Sequence, residues 1–502
     1  MERLNKAMLG HALQAQPQNY QALPERVIQF GEGNFLRAFV DWMFDSMNKQ
    51  GIFNGRVVVI QPLAGGLVNK LNEQDGLYNL ILRGMRDGEA VAAEQLVTSI
   101  SRGINPYTEW AEYLRCAEDP AIEFVVSNTT EAGIAYNPED RPDAKPPASF
   151  PGKLAVYLYH RYQHFAGDPS KGMVIIPCEL IDRNGDNLRS IVLRLADEWG
   201  WPAAFRTWLE QHNYFLNSLV DRVVPGYPKD EVAAIAQRLG YEDQLLDTGE
   251  LFHLWVIEGP QAIKARLPFT QAGLNVIWTD DMSPYRTRKV RILNGAHTAC
   301  VPVAFLFGLD TVGEMVDHNL LGQYTREVMF EEIIPSINLD VAMLTDFANA
   351  VMERFQNPYI KHYLLSILLN STSKFKTRVV PSLLGYIERN ACIPEKLSFS
   401  FAALLALYKG EIHEDRLTGK REQGEFTLQD DQAALQKLQK AWSVYDGTSA
   451  SIQNLTQSLL SDASLWGENL NSRSGLSEKV AGHLAAILQK GMHKALVEVL
   501  AK

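Results

Sequence analysis

A short buried strand that runs directly into a Gly-x-Gly turn constrains the fold of this chain more than any other stretch. Residues 26–30 form an apolar segment, and Gly-Glu-Gly-Asn-Phe-Leu follows at once, with Leu36 in the place of a third glycine. Such a turn lets the backbone approach a pyrophosphate, whose charge the next helix N-terminus favours. A generic strand–turn–helix has the same pattern. We interpret the turn as a Rossmann-type dinucleotide site with five contact residues: Phe30, Gly31, Gly33, Asn34 and Phe35.

The next apolar segment identifies the cofactor more closely. Residues 56–61 predict a second strand, about 25 to 30 residues after the first, as a βαβ unit requires. In NAD enzymes an acidic residue at the end of this strand binds the ribose 2′-hydroxyl, but Gln61 and Pro62 stand here. Gln61 can still hydrogen-bond a ribose hydroxyl, and no Arg follows at once to receive a 2′-phosphate. The prediction is therefore NAD(H) rather than NADP(H).

Two further buried strands add polar groups at the same edge of the sheet. Residues 123–127 are followed by Asn128 and Thr129, and residues 172–179 end in Glu179. The carboxyl ends of parallel strands meet at the edge where cofactors bind. Asn128 and Thr129 are therefore predicted to line the cofactor or active site, with a plain turn carrying helix-capping residues as the alternative.

The length of the chain and its sequence pattern limit the number and type of domains. A chain of 502 residues predicts two or three domains. We expect an α/β protein in which residues 1–282 form a Rossmann-type domain with insertions and residues 283–502 a mostly helical domain. Within the second domain, residues 411–431 are polar and predict an exposed excursion, and residues 480–500 predict a packed amphipathic helix.

Charge and cysteine content exclude several classes of function. The net charge of −11 argues against a nucleic-acid partner. The four cysteines form no metal-like pair and indicate a reducing compartment. No signal-like segment and no apolar run of about 20 residues is apparent. We expect a cytoplasmic protein without a membrane partner, either a monomer or a small homo-oligomer.

A helix predicted to start at Ser283 carries the most suggestive chemistry. At about 100° per residue, the side chains of Arg286, Lys289 and His297 fall within an arc of roughly 80° around this helix. The carboxamide of Asn294 lies about 60° beyond the edge of that arc. An amine beside an amide and an imidazole suits carbonyl reduction, because the amine can pass a proton while the others steady an oxyanion. A basic solvated face with one satisfied His is the alternative. The four residues are Arg286, Lys289, His297 and, further round, Asn294.

These residues carry a family resemblance. Lys289-x-x-x-Leu293-Asn294-x-x-His297 resembles the signature of the polyol-specific long-chain dehydrogenases, the mannitol dehydrogenase family. In that family the Lys is the general acid/base, and the Asn and His contact the reacting oxygen. The similarity runs nearly the whole chain and includes the Gly-x-Gly-x-Phe-x-Arg form of the turn. It implies an NAD(H)-dependent, metal-independent oxidoreductase.

Within the family, the resemblance is to members that interconvert D-tagaturonate and D-altronate in hexuronate catabolism. A hexuronate carries a carboxylate, which Arg binds bidentately. Arg286 lies one turn before Lys289, near where mannitol-type enzymes tend to have an acidic residue. We therefore predict that Arg286, with Lys374 or Arg378, holds the carboxylate. The D-fructuronate/D-mannonate pair, a neutral polyol, a phosphogluconate-type hydroxyacid and a non-catalytic NAD sensor remain alternatives.

The resemblance also indicates further pocket residues. It implies that Asp221 contributes to the substrate pocket, although an Asp221–Arg222 ion pair at a helix end fits the sequence equally well. Leu180 stands where polyol enzymes usually carry an Asn, one of their two oxyanion-binding amides. We expect Glu179 or Asn184 to compensate for it, with Glu179 as a substrate contact.

Overall fold

The computed structural model describes residues 1–8, 20–86, 88–130, 132–413 and 416–502. It separates into two compact units, the first comprising Met1–Gly84 with Val91–Met282 and the second Met85–Ala90 with Ser283–Lys502.

The first unit is built on a six-stranded sheet in the order β5-β2-β1-β6-β7-β8, in which every neighbouring pair is parallel. Two three-stranded sheets, β10-β3-β4 and β12-β11-β9, accompany it. The strands are Glu25–Phe30 (β1), Arg56–Ile60 (β2), Tyr78–Arg86 (β3), Glu89–Val97 (β4), Ile100–Ile104 (β5), Phe124–Ser127 (β6), Val174–Pro177 (β7), Tyr214–Phe215 (β8), Asn217–Asp221 (β9), Asp247–Glu250 (β10), Leu254–Glu258 (β11) and Val276–Thr279 (β12).

Both faces of the six-stranded sheet are buried, which explains why its strands are continuously apolar rather than alternating. Val27 and Val59 point into one hydrophobic cluster, while Ile28 and Val58 point into another on the opposite face. The register pairs Phe30 with Ile60 and with Ser127. The carboxyl ends of β1, β2 and β6 therefore lie side by side.

Helices cover this sheet. One runs from Asn34–Leu36 through a π-helical turn, Arg37–Asp41, into Trp42–Lys49. The other α-helices of the unit are Val68–Glu73, Trp110–Glu118, Phe150–His164, Asn184–Glu198, Ala203–His212, Val232–Leu239 and Gln261–Arg266, with 3₁₀ turns at Tyr20–Ala22, Pro169–Lys171 and Phe269–Ala272.

The second unit is mostly helical. Its first helix runs through Ser283–Arg288, a π-helical turn at Lys289–Asn294, and Gly295–Phe307. The other helices are Val312–Asp317, Asn319–Glu327, Val341–Phe355, Leu364–Ile367, Ser371–Arg378, Val380–Asn390, Glu395–Leu407, Gln432–Trp442, Ser449–Leu460, Ala463–Trp466, Leu476–Lys490 and Met492–Leu500, with a π-helical turn at Val328–Ile333 and 3₁₀ turns at Ile334–Ser336 and Leu470–Ser472.

The predicted fold class, a Rossmann-like α/β region followed by a mostly helical one, is confirmed. Two details of the second unit differ. The polar stretch 411–431 contains an antiparallel meander of Gly410–His413 (β13), Arg416–Arg421 (β14) and Gly424–Gln429 (β15), because alternate residues such as Leu417 bury one face. The C-terminal run is two helices that break at Gly491, whose φ is 81°.

The helix at Ser283–Phe307 also corrects an expectation. By length and composition it is apolar enough to cross a membrane. However, 67% of its apolar window is buried inside the structure, as in a core helix of a soluble protein.

Candidate functional site

The Gly-x-Gly turn is closed tightly between two strands. Gly31 donates its N–H to Ile60 O at 3.0 Å, and Asn128 donates its N–H to Phe30 O at 3.0 Å. The φ of Gly31 is 119°, and a Cβ there would lie 2.8 Å from Asn128 O. Only glycine fits both the backbone conformation and the space.

Gly33 has a different role. It is the N-cap of the helix that begins at Asn34, with an ordinary φ of −69°, and nothing lies within 4 Å of a Cβ built there. The space beside the helix N-terminus at Gly33 is thus open. This cradle fits the pyrophosphate of a dinucleotide.

Buried polar groups hold the turn in shape. Arg37 donates from Nε to Glu32 O at 3.2 Å and from Nη2 to Asn34 Oδ1 at 2.6 Å. Gln29 donates to Gly31 O at 3.1 Å and to Asp41 Oδ2 at 3.0 Å. Because this support is built from side chains, the turn is preorganised before any cofactor binds. Asn34 is one of these supporting groups, since its side-chain oxygen accepts a hydrogen bond from Arg37.

Phe35 and Gln61 also take part in local packing. Phe35 stacks on Phe39 with ring centroids 5.0 Å apart. Gln61 is 2% exposed and donates its amide to Leu63 O and Ala64 O at 2.8 and 3.0 Å. Its two amide hydrogens are therefore committed to the loop after β2, which leaves only the amide oxygen for the predicted ribose contact, and that contact stays a prediction.

A carboxylate organises the ends of β6 and β7. Glu179 accepts hydrogen bonds from Ser127 Oγ, from Thr129 N–H and from Thr129 Oγ1, each at 2.9 Å. Asn128 donates from Nδ2 to Cys178 O at 2.8 Å. Burial raises the pKa of Glu179. Asn128, Thr129 and Glu179 thus come together at the carboxyl edge of the sheet, as the sequence predicted, with Glu179 as the acceptor that fixes the loop.

Asn184 is not an oxyanion donor in this geometry. It is fully buried, its Nδ2 lies 3.0 Å from the carbonyls of Pro177, Glu179 and Ser218, and its Oδ1 accepts the Ser218 N–H at 2.9 Å. It ties β7 to β9 instead. Leu180, in the place of the family Asn, is 59% exposed.

Asp221 ends strand β9 rather than a helix and is 5% exposed. Its neighbour Arg222 donates to the carbonyls of Phe252 and Ala38 at 3.1 and 2.5 Å and packs over the Trp42 ring at 4.2 Å. The helix-end setting that the sequence allowed for Asp221 and Arg222 is therefore wrong, and the substrate role of Asp221 stays a prediction.

In the second unit, a π-helical turn aligns the predicted catalytic residues. The Gly295 N–H reaches Val290 O, five residues earlier. Residues five apart in such a turn lie about one turn apart on the same side. A regular helix would turn Asn294 away from Lys289, whereas the geometry of a π turn at Lys289–Asn294 is expected to turn it back toward the Lys289 side. The extra residue also brings His297, two turns on, back into line with Lys289.

The ring of His297 lies in an aromatic and basic setting. It stacks on Phe355 at 4.3 Å and meets His362 edge-on at 5.2 Å. Its buried Nε2 has no hydrogen-bond partner among the residues that the structure describes. The pKa of His297 lies well below its ordinary value, first because burial disfavours the charged ring and then because four basic side chains act on it: His362, Arg354, Arg378 and Lys374.

The helix Ser371–Arg378 supplies two of these cations. A Cβ on Gly295 would lie 3.2 Å from Arg378 O, so this helix crosses the His297 helix closely. Lys374 donates from Nζ to Ile367 O at 2.9 Å, and burial and then Arg378 lower its pKa. Arg286 is exposed on the first turn of the site helix, and Lys289 is partly buried.

Sequence reasoning missed Phe355, which stacks on His297 from a helix 58 residues away along the chain. No local pattern distinguishes this ring from an ordinary core residue. Among the described residues, no group of three or more His, Cys, Asp or Glu side chains is arranged to hold a metal ion.

Comparisons with known proteins agree with this architecture. The sequence model of the mannitol dehydrogenase Rossmann domain matches residues 25–271, and that of the mannitol dehydrogenase C-terminal domain matches residues 281–488. The altronate oxidoreductase of Bacillus subtilis (strain 168) is 46% identical over 99% of this chain and 98% of its own. That of Escherichia coli O6:K15:H31 is 48% identical over 94% and 96% of the two chains.

Solved structures show the same fold at lower identity. The Pseudomonas fluorescens mannitol 2-dehydrogenase, in a ternary complex with NAD and D-mannitol, is 22% identical, covers 100% of both chains and has a TM-score of 0.70. A substrate-free D-sorbitol dehydrogenase is 20% identical, covers 99% of this chain and 100% of its own, and has a TM-score of 0.79. This chain therefore belongs to the mannitol dehydrogenase family, a family of polyol and sugar-acid dehydrogenases, and is a dehydrogenase.

Proposed function

We propose that this dehydrogenase interconverts D-tagaturonate and D-altronate with NAD(H), without a metal, as a step in hexuronate catabolism in the cytoplasm. The observation that carries the proposal is one helix that contains Lys289, Asn294 and His297, with several basic side chains close enough to lower the pKa of His297. The altronate oxidoreductase names of the relatives support the choice of substrate. The partner is thus a small hexuronate, and we expect a monomer or small homo-oligomer.

The nucleotide turn supports the choice of cofactor. NADH, when bound, supplies the hydride that no side chain can carry. Phe30, Gly31 and Gly33 would form the backbone cradle for its pyrophosphate, and Asn128 and Thr129 would line the adjoining edge of the sheet. The open N-cap at Gly33 leaves room for this approach.

Proton transfer would fall to Lys289. As an ammonium group it gives a proton to the forming alkoxide during reduction and takes one back during oxidation. Asn294 and His297 would steady the oxygen by hydrogen bonds. A neutral His297, favoured by its depressed pKa, would donate from Nε2, which has no other partner among the described residues.

The cations suit a substrate with a carboxylate. Arg286, with Lys374 or Arg378, would hold that group, and Asp221 would bind sugar hydroxyls. A neutral polyol has no group that requires three cations. This is why we favour a hexuronate over mannitol as the substrate.

The test is NADH oxidation, followed by absorbance, with D-tagaturonate, D-fructuronate and D-fructose in parallel. We expect the highest kcat/KM with D-tagaturonate, and Lys289→Met protein serves as the blank. A preference for D-fructuronate or D-fructose would refute the substrate assignment. NADH binding without turnover of any of the three would favour a sensor.

A further inference from the structure

Strand β2 ends without the acid that commonly recognises an NAD ribose. That acid binds the 2′-hydroxyl of the adenosine ribose and excludes the 2′-phosphate of NADP. Here Gln61 follows β2, and its amide is held by Leu63 O and Ala64 O. Because Gln61 is neutral, a different group must supply the charge that discriminates between the two cofactors.

An acid from the glycine turn reaches this place. Glu32 Oε1 accepts the N–H of Leu67 at 3.3 Å. A Cβ on Gly66 would lie only 2.1 Å from the same oxygen. The carboxylate of Glu32 therefore lies against the loop that follows β2, although its own backbone belongs to the turn that follows β1.

The surroundings of Glu32 keep it in position. Arg37 binds its main-chain oxygen at 3.2 Å. The pKa of Glu32 is raised, first because burial disfavours the charged form, and the Leu67 N–H and the Arg37 charge only partly oppose that increase. On the same loop, Leu63 is 66% exposed and offers an apolar surface of the kind that packs against an adenine ring.

We propose that Glu32 selects NAD(H) over NADP(H). Its carboxylate accepts a hydrogen bond from the 2′-hydroxyl of the adenosine ribose and repels a 2′-phosphate by like charge. It takes the role of the missing acid at the end of β2. This inference rests on the proposed NAD(H) function and adds its specificity determinant.

The matched variant is Glu32→Gln, which keeps an oxygen to accept the Leu67 N–H but removes the charge. Dissociation constants for NADH and for NADPH are measured by fluorescence titration, without any sugar substrate. We expect wild-type protein to prefer NADH and the ratio of NADPH to NADH dissociation constants to fall by about tenfold or more in the variant. Glu139→Gln, an exposed acid outside the turn, removes the same charge and should leave the ratio unchanged. Thermal unfolding confirms that each variant is folded.

Other outcomes separate the two proposals. Equal weakening of NADH and NADPH in folded Glu32→Gln protein would mean that Glu32 only shapes the turn, and would overturn the inference. Equal binding of both cofactors by the wild type would overturn it as well. Wild-type protein that binds neither would overturn both this inference and the proposed function. Discrimination lost in Glu32→Gln, together with no turnover of D-tagaturonate by the wild type, would uphold Glu32 and refute only the proposed reaction.

Discussion

Replacement of Gly31 by Ala should destabilise the first unit and abolish cofactor binding together. At a φ of 119°, a non-glycine residue costs about 1–3 kcal/mol in backbone strain. The new Cβ, 2.8 Å from Asn128 O, forces the end of β6 to shift, which adds about 1–3 kcal/mol of overpacking. The total is roughly 2–6 kcal/mol of unfolding free energy. At about 2–4 °C per kcal/mol, Tm should fall by roughly 4–24 °C.

Gly33→Ala is the matched control, because its φ of −69° suits any residue and the space around it is open. Its Tm should change little, since the loss of a glycine N-cap costs at most about 1 kcal/mol. NADH binding, measured by fluorescence titration, should nevertheless weaken by about tenfold or more, because the methyl group occupies the proposed approach of the pyrophosphate. Wild-type Tm in Gly31→Ala would refute the strain argument. Wild-type NADH affinity in Gly33→Ala would refute the placement of the pyrophosphate.

Three further perturbations test the chemistry and the charge distribution. Lys289→Met should lower kcat by about 10²–10⁴-fold while the NADH dissociation constant stays unchanged, as steady-state assays and titration would reveal; near-normal turnover would exclude Lys289 as the proton donor. Arg286→Leu should lower kcat/KM for D-tagaturonate by about 10–100-fold, since it removes a charge-assisted hydrogen bond, and an unchanged value would contradict the carboxylate assignment. Burial, and then the charge of Arg222, lower the pKa of His253 from 6.5 to about 4. Between these two values the unfolded chain binds a proton that the folded chain does not, so stability is lost as the pH falls from about 6.5 to 4. In urea unfolding, the free energy of unfolding of His253→Gln protein should fall less steeply over this pH window than that of the wild type. An identical pH dependence in the two proteins would argue against a buried neutral His253 ring.

The local features of the fold were predictable from the sequence. Apolar segments at residues 26–30, 56–61 and 123–127 are strands because they are buried on both faces, which leaves a continuous hydrophobic pattern. The start of the site helix at Ser283 was also visible, since helix initiation depends on neighbouring residues. The polarity of residues 411–431 predicted their exposure but not the meander that they form, because strand pairing depends on partners further along the chain.

The π-helical turn at Lys289–Asn294 is the feature of the site that could not be predicted from the sequence. A regular helical period placed Asn294 off the catalytic face, and the residue pattern itself contains no marker of the extra residue in that turn. The helical period still placed Asn294 near Lys289 and His297, and the family resemblance implied that all three act at one reacting oxygen. The π turn brings Asn294 closer to the side of Lys289 than a regular helix would, and the joint action of the three residues on one oxygen stays a proposal.

The sequence by itself thus predicted the main strands of the parallel sheet, the Gly-x-Gly turn and the start of the site helix, because each depends on residues close together in the chain. The tertiary structure alone decided which groups meet across long separations. In it, the Gln61 amide donates to the loop that follows β2, the Glu32 carboxylate contacts Leu67, and Phe355 stacks on His297. Such contacts depend on the register of strands and the crossing of helices, which no local pattern encodes.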